Sequence, residues 1–293
     1  MPPLPRFQYD AVSALSKGRR DYQEDSIATD FPLGADLGFV VLADGMGGHA
    51  CGDIASKIIV TEVFSELKLQ SGNKTNFADN VASILCEAAI SANECVSGHV
   101  STNPESTGMG ATLIAPVLID DQLSWVSIGD SPLFLFRNGT LKQLNEDHSM
   151  APQIDFMIKS GLIGEEAGKN HPDRNCLTSV LIGDEISHVD CPAEPFQLFV
   201  DDILIVASDG LQFLSDAQIE CILESCHSKP STEIAYALLK NLEELDDPDQ
   251  DNISLSVIKI GQDEHVSKPQ KPHLVHDADT PAKFQTGRHN GAA

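Results

Sequence analysis

Three aspartates stand at the ends of apolar runs, where a carboxylate can be aimed out of a sheet. Asp44 ends Gly-Phe-Val-Val-Leu-Ala-Asp (38–44) and is followed by Gly45. Asp209 ends Ile-Leu-Ile-Val-Ala-Ser-Asp (203–209) and is followed by Gly210. Asp251 opens the run that begins Asn252-Ile253-Ser254. Taken one at a time, each reads as an ordinary turn residue, because Asp-Gly after an apolar run is a turn signal. Together they read as a metal site. If they converge, two carboxylates about 4 Å apart repel by about 4 kcal/mol at an effective dielectric of about 20. Three cannot stay ionised together without a cation. Oxygen donors with no Cys or His among them select Mg²⁺ or Mn²⁺ rather than zinc. A glycine after two of the aspartates permits close backbone approach, which makes a carbonyl a further candidate ligand.

A second cluster, Arg20-Asp21-Tyr22-Gln23-Glu24-Asp25-Ser26, lies near the start of the chain. Its plain reading is a charged loop at a strand edge. Its chemical reading is a guanidinium that holds a phosphate bidentately, beside acids that orient metal-bound water.

Positioning these groups requires rigid elements. Apolar runs suited to buried strands cover 38–44, 111–119, 123–130, 132–136, 196–200, 203–209 and 252–260. Arg137-Asn138-Gly139-Thr140 is a hairpin signal, since Asn-Gly accepts the positive φ of a type I′ turn. Helical spacing of apolar residues marks 53–68, 77–97, 216–226 and 231–245. Ser215 is the expected N-cap of the third, and Ser231 or Thr232 of the fourth. Strands mostly follow strands, so the sheets should be largely antiparallel. The expected fold is α+β: two sheets packed together, with a helix pair on each outer face. The core is expected over 7–260, with 147–175 as a looser insertion containing Pro152, Gly161, Gly164 and Pro172. From 261 to 293 the chain reads as a disordered tail that carries His265, His273, His276 and His289.

The chain of 293 residues has 19 Lys+Arg against 44 Asp+Glu, a formal net charge of −25. Such an acid excess argues against nucleic acid and against an anionic membrane surface as partners. The tail contributes Asp263, Glu264, Asp277 and Asp279 against Lys268, Lys271, Lys283 and Arg288, so the excess belongs to the core. No run is long and apolar enough to span a membrane, and the start has no secretory pattern. The seven cysteines, Cys51, Cys86, Cys95, Cys176, Cys191, Cys221 and Cys226, form no CxxC pair and fit a reduced, cytoplasmic protein. Cys221, Cys226 and His227 have poor zinc spacing.

Several segments in order resemble the protein phosphatase 2C (PPM) family of metal-dependent protein serine/threonine phosphatases, in its bacterial form. They are Arg20-x-x-x-Glu24-Asp25, VLADGMGGHACGDIAS (41–56), TGMGATLIA (107–115), SIGDS (127–131), LNEDHS (144–149), HPDRNCLTSVLIG (171–183), VASDGLQFLSD (206–216) and DNISLSV (251–257). The resemblance implies an αββα sandwich, in agreement with the element order. It implies that Asp44 bridges two Mn²⁺ or Mg²⁺ ions, that the Gly45 carbonyl binds one, and that Asp209 and Asp251 complete the other. It further implies that Glu24 and Asp25 hold metal-bound waters, that Arg20 grips the substrate phosphate, and that Asp130 with Asp209 holds a weaker third ion. The implied reaction is in-line attack of a metal-bridging hydroxide on a phosphoserine or phosphothreonine of a protein substrate. Two departures stand out. Met46 replaces the histidine that follows Asp-Gly in animal members, with His49 nearby as a loop residue, and Pro132 stands where the family usually has arginine. A catalytically silent regulatory module of the same fold, or a hydrolase of small phosphate esters, is the alternative.

Overall fold

The computed structural model describes residues 7–47 and 51–262, so the expectations for His49 and for the tail from 263 lie outside the described residues. In chain order the elements are β1 (Phe7–Ser16), β2 (Ser26–Asp30), β3 (Leu37–Ala43), β4 (Gly45–Met46), α1 (Gly52–Gln70), α2 (Lys74–Thr102), β5 (Gly110–Ala111), β6 (Leu113–Ile119), β7 (Gln122–Ile128), β8 (Leu133–Arg137) and β9 (Thr140–Gln143). They continue with α3 (Ala151–Lys159), α4 (Glu165–Lys169), β10 (Phe196–Gln197), β11 (Ile203–Ala207), α5 (Asp216–Cys226), α6 (Ser231–Leu245) and β12 (Ile253–Gln262).

Two five-stranded sheets run in the orders β1-β12-β11-β8-β9 and β10-β7-β6-β3-β2, and β4-β5 forms a small third sheet. Every strand pair is antiparallel. The sheets face each other through Val40, Leu42, Ile114, Leu118, Leu204, Val206 and Ile258. On β3 the alternate residues Phe39, Val41 and Ala43 pack with α1 and α2 residues such as Ile59 and Leu85. On β11 the alternates Ile203, Ile205 and Ala207 pack with α5 and α6 residues such as Leu223 and Leu238. Central strands are therefore covered on both faces, which is why they read as continuous apolar runs rather than alternating ones. The expected αββα sandwich is what forms.

The turn at Asn138-Gly139 has φ of 52° and 77°, and Arg137 pairs with Thr140, as the type I′ signal requires. Ser215 caps α5 through a capping box with Gln218. Ser231 does not cap α6. It is the first helical residue, and its N–H and hydroxyl both donate to the Asp10 carboxylate at 2.8 and 2.7 Å. The expected strand at 196–200 shortens to Phe196–Gln197, and Phe199 and Val200 are exposed. Strands β1 and β2 are present where no strand was expected, and 147–175 contains the short helices α3 and α4.

Candidate metal centre

All the predicted site residues meet at one end of the sandwich, and strand direction is the reason. Strands β1, β3, β7 and β11 end there and β8 and β12 begin there, because β11 pairs antiparallel with β8 and β12, and β1 with β12. Asp44 follows β3, Asp209 follows β11 with Ser208 between, and Asp251 lies two residues before β12. Asp130 lies in the link from β7 to β8 that crosses between the sheets. Glu24 and Asp25 lie just before β2, whose Ser26 pairs with Ala43. Arg20 lies in the β1–β2 connection.

The inner face of β12 changes character toward this end. It presents Ile258 and Ile260 to the apolar interior, then Ser256 and Ser254, all buried. The polar floor receives Asp25, which is 5% exposed and accepts the Ser208 hydroxyl at 2.8 Å. Ser208 in turn accepts the Ser254 N–H at 3.0 Å.

The carboxylates crowd one another. Burial lifts Asp44 well above the usual carboxylate range, and the charges of Asp25, Asp209 and Asp130 add to the effect. Burial, with Asp209 and Asp147 nearby, pushes Asp130 up to about 7. Burial pushes Asp25 up to about 6 against the pull of the Ser208 hydrogen bond, and Asp209 and Asp251 raise it further. Asp209 is raised by burial and by Asp251, with a hydrogen bond from Asp44 and the charge of Arg20 opposing. Arg20 donates to Asp251 at 2.5 Å, and its side chain is 55% exposed. Buried oxygens of Glu24, Asp25 and Asp209 have no hydrogen-bond partner.

Two glycines are dictated by this geometry. A Cβ on Gly45 would lie 2.3 Å from the Gly52 carbonyl oxygen and 2.5 Å from that of Glu24. A Cβ on Gly210 would lie 1.9 Å from the Asn252 carbonyl oxygen. Neither position admits a side chain without moving backbone.

Four supporting residues escaped the sequence reading. Thr112 accepts the Asp44 N–H at 2.9 Å through its hydroxyl and donates its own N–H to the Asp44 carbonyl at 2.9 Å. Asn252 accepts the Glu24 N–H at 2.7 Å and donates to the Lys17 and Tyr22 carbonyls at 2.9 and 3.0 Å. Ser208 holds Asp25 as above. His148, 5% exposed, clamps Gly129 on both sides: it accepts the Gly129 N–H at Nδ1 (3.3 Å) and donates its own N–H to the Gly129 carbonyl (3.0 Å). Their only signal was position, a polar residue beside or inside a motif already marked.

A cavity of about 310 Å³ opens at this end, lined by Arg20, Glu24, Asp44, Gly45, Asp130, Asp209 and Asp251, with Asp25 outside its lining. Met46 also lines it. A larger cleft of about 710 Å³ adjoins it through Asp130, Asn175 and Asp209, and is walled by Asp147, Asp155, Lys159, Arg174 and Asp216. Among the described residues no three His, Cys, Asp or Glu side chains close around a single point. Each divalent ion would thus take few side-chain ligands and fill its shell with carbonyl and water, as Mg²⁺ does in sites of this kind. Orphaned carboxylate oxygens, raised carboxyl pKa values and an all-oxygen donor set fit hard divalent cations.

The profile of the family described as protein phosphatase 2C matches residues 18–244. The serine/threonine phosphatase stp of Listeria welshimeri is 33% identical over 190 residues, which is 64% of this chain and 73% of that protein. The serine/threonine protein phosphatase PstP of Mycobacterium tuberculosis is 31% identical over 222 residues, 75% of this chain and 39% of its own length. The crystal structure of the M. tuberculosis phosphatase PstP/Ppp aligns with a TM-score of 0.67 at 26% identity, covering 87% of this chain and 99% of that one. The PstP catalytic domain in complex with two manganese ions aligns with a TM-score of 0.69 at 26% identity and the same coverage.

Proposed function

The chain belongs to the protein phosphatase 2C family, and from that premise we propose a cytoplasmic enzyme that uses two Mn²⁺ or Mg²⁺ ions to hydrolyse phosphoserine and phosphothreonine in proteins. The observation that carries this reading is the convergence of Glu24, Asp25, Asp44, Asp130, Asp209 and Asp251 at one end of the sandwich, with partnerless buried oxygens among them. Acids so placed repel one another until cations arrive. The roles assigned are those of the chain's own groups. Asp44, the Gly45 carbonyl, Asp209 and Asp251 would hold the two ions, and Asp130 with Asp209 would hold a third, weaker one if it binds. Glu24 and Asp25 would accept hydrogen bonds from water beside the ions and fix its orientation. Arg20, half exposed at the cavity mouth, turns from Asp251 to the substrate phosphate and binds two of its oxygens. When bound, the ions supply Lewis-acid polarisation and lower the pKa of water so that a nucleophile exists near neutral pH. The wide adjoining cleft gives a polypeptide room beside the phosphate. The net acidity of the chain leaves nucleic acid and anionic membranes outside the expected partners.

The test combines binding with turnover. Mn²⁺ is titrated calorimetrically into the wild type and into Asp209→Asn and Asp251→Asn, and hydrolysis of p-nitrophenyl phosphate and of phosphopeptides is followed in each. The expected outcome is weakened Mn²⁺ binding and turnover lower by about 10³-fold, the equivalent of about 4 kcal/mol. Wild-type-like turnover in both variants would sink the assignment. Absence of Mn²⁺ binding by the wild type would instead favour a catalytically silent module.

A further inference from the structure

A pair of thiols far along the chain from one another meets on the side of α2. Cys191 packs, half buried, against the core cluster between α1, α2 and their sheet. Its Sγ lies 3.5 Å from the carbonyl oxygen of Ala82, one helical turn before Cys86. Cys86 therefore lies on the stretch of α2 that Cys191 covers, near enough for its thiol to act on that of Cys191. A cavity of about 270 Å³ lies nearby, lined by Ala82, whose carbonyl Cys191 meets, and by Ala193, two residues beyond Cys191. Burial and the neighbouring Cys86 push the Cys191 thiol up to about 12, so Cys191 stays protonated and is a poor first nucleophile.

The residue before this thiol is tied to the metal-centre end of the sandwich. Asp190 exchanges two backbone hydrogen bonds with Ser127 of β7, at 2.8 and 3.0 Å. Its carboxylate accepts the Trp125 indole N–H and the Glu146 N–H, both at 2.9 Å. Glu146 lies two residues before His148, the residue that clamps Gly129 next to Asp130.

We propose that Cys86 and Cys191 form an oxidisable dithiol, closed to a disulfide by peroxide, which fastens α2 to the Asp190 loop. In the first step the Cys86 sulfur attacks a peroxide oxygen and gives up its proton. The O–O bond breaks, the departing hydroxide takes up a proton to become water, and Cys86 becomes a sulfenic acid. In the second step the Cys191 sulfur displaces that hydroxyl, which leaves as a second water with the Cys191 proton. The sum is two thiols and one hydrogen peroxide giving one disulfide and two waters. The proposal does not depend on the phosphatase reading, because its readout is a covalent bond.

The experiment uses the full reduced chain, treated with hydrogen peroxide, quenched with N-ethylmaleimide, digested and read by mass spectrometry. The dominant cross-linked peptide is expected to join Cys86 to Cys191, and to vanish on reduction. In Cys191→Ser, Cys86 has no partner and is expected to accumulate as a sulfenic acid that dimedone captures. In Cys86→Ser no cross-link through Cys191 should form. Maleimide labelling of Cys86 and Cys191 that is unchanged by peroxide overturns the proposal, as does a dominant cross-link through any other cysteine.

Discussion

Strand β11 has an aspartate just beyond each end, Asp202 buried and Asp209 partly buried, and the chain treats the two oppositely. Asp202, 1% exposed, is gripped by Arg137 through two hydrogen bonds of 2.7 and 2.6 Å, and it also accepts the Phe199 N–H at 2.8 Å. The Arg137 guanidinium lies 4.5 Å over the Phe199 ring and 5.4 Å over that of Phe196. At the opposite end Asp209 faces other acids, one of its oxygens has no hydrogen-bond partner, and the nearby Arg20 reaches Asp251 instead. The first end is complete as folded. The second is complete only with added positive charge. A buried carboxylate is affordable anywhere the chain places a cation, so the place where it supplies several acids and too little cation is the place built for a ligand.

The contrast can be broken most directly by mutating each end. Arg137→Ala strands the Asp202 charge and is expected to lower unfolding free energy by about 3 kcal/mol in urea denaturation. Asp209→Asn removes one repelling charge and is expected to raise the stability of the metal-free chain by about 1 kcal/mol. Equal losses in the two variants would show that both ends are structural.

Next in size is the pH dependence of the metal-free chain. Asp25 at about 6 and Asp130 at about 7 are raised above their unfolded values, so the folded state binds more protons than the unfolded state across the interval between. Stability therefore falls as pH rises from about 4 to about 7, by roughly 3 kcal/mol for a shift such as that of Asp25. Saturating Mn²⁺ should flatten the neutral side of the curve by binding only the folded state. Thermal scans with and without Mn²⁺ across this range check it, and a flat metal-free curve would mean the acids are not coupled.

Smaller still is the expected effect of Arg20→Ala on folding, under about 1 kcal/mol, because its ion pair is largely exposed. Its KM for a phosphate ester should nevertheless rise about tenfold, the equivalent of one charge-assisted hydrogen bond. An unchanged KM would confine Arg20 to its pair with Asp251. The smallest effect concerns flanking sequence. In the adjoining cleft Asp155 is paired with Arg174, and Asp130, Asp147, Asp209 and Asp216 outnumber the remaining Lys159, so phosphopeptides with basic flanks should be preferred, and salt should erode that preference as screening shortens to about 3 Å at 1 M. A salt-independent preference for acidic peptides would contradict it.

The sequence made the middle of the molecule easy to read and its edges hard. Strands β3 and β11 are buried on both faces, so their apolar runs stand out. Strand β1 is half buried along much of its length and interleaves Asp10, Ser13 and Ser16 with its apolar residues, so no run marks it. Asp44 and Asp209 were legible because Asp-Gly at the end of an apolar run places a carboxylate and its backbone at once, Asp251 because it opens such a run, and Asp130 only through the family resemblance. Thr112, Asn252 and His148 were not, because nothing local says that a polar side chain will hold another residue's backbone. The same holds for Ser231, whose expected capping hydroxyl is drawn away by Asp10, a partner far off in sequence. The thiol pair depends wholly on how a loop folds back over a helix.

One feature of the sheet reaches beyond the finished molecule. Strand β12 lies between β1 and β11 and pairs with β1 from Phe7↔Gln262 to Ser16↔Ile253. During synthesis, β1 emerges early and must wait, unpaired on that edge, for the last strand to leave the ribosome. Until then Asp251 is missing from the site, and the partly made chain carries an incomplete set of acids. Loop closure over such a separation is slow, so acquisition of the metal centre should come at the end of folding rather than guide its beginning.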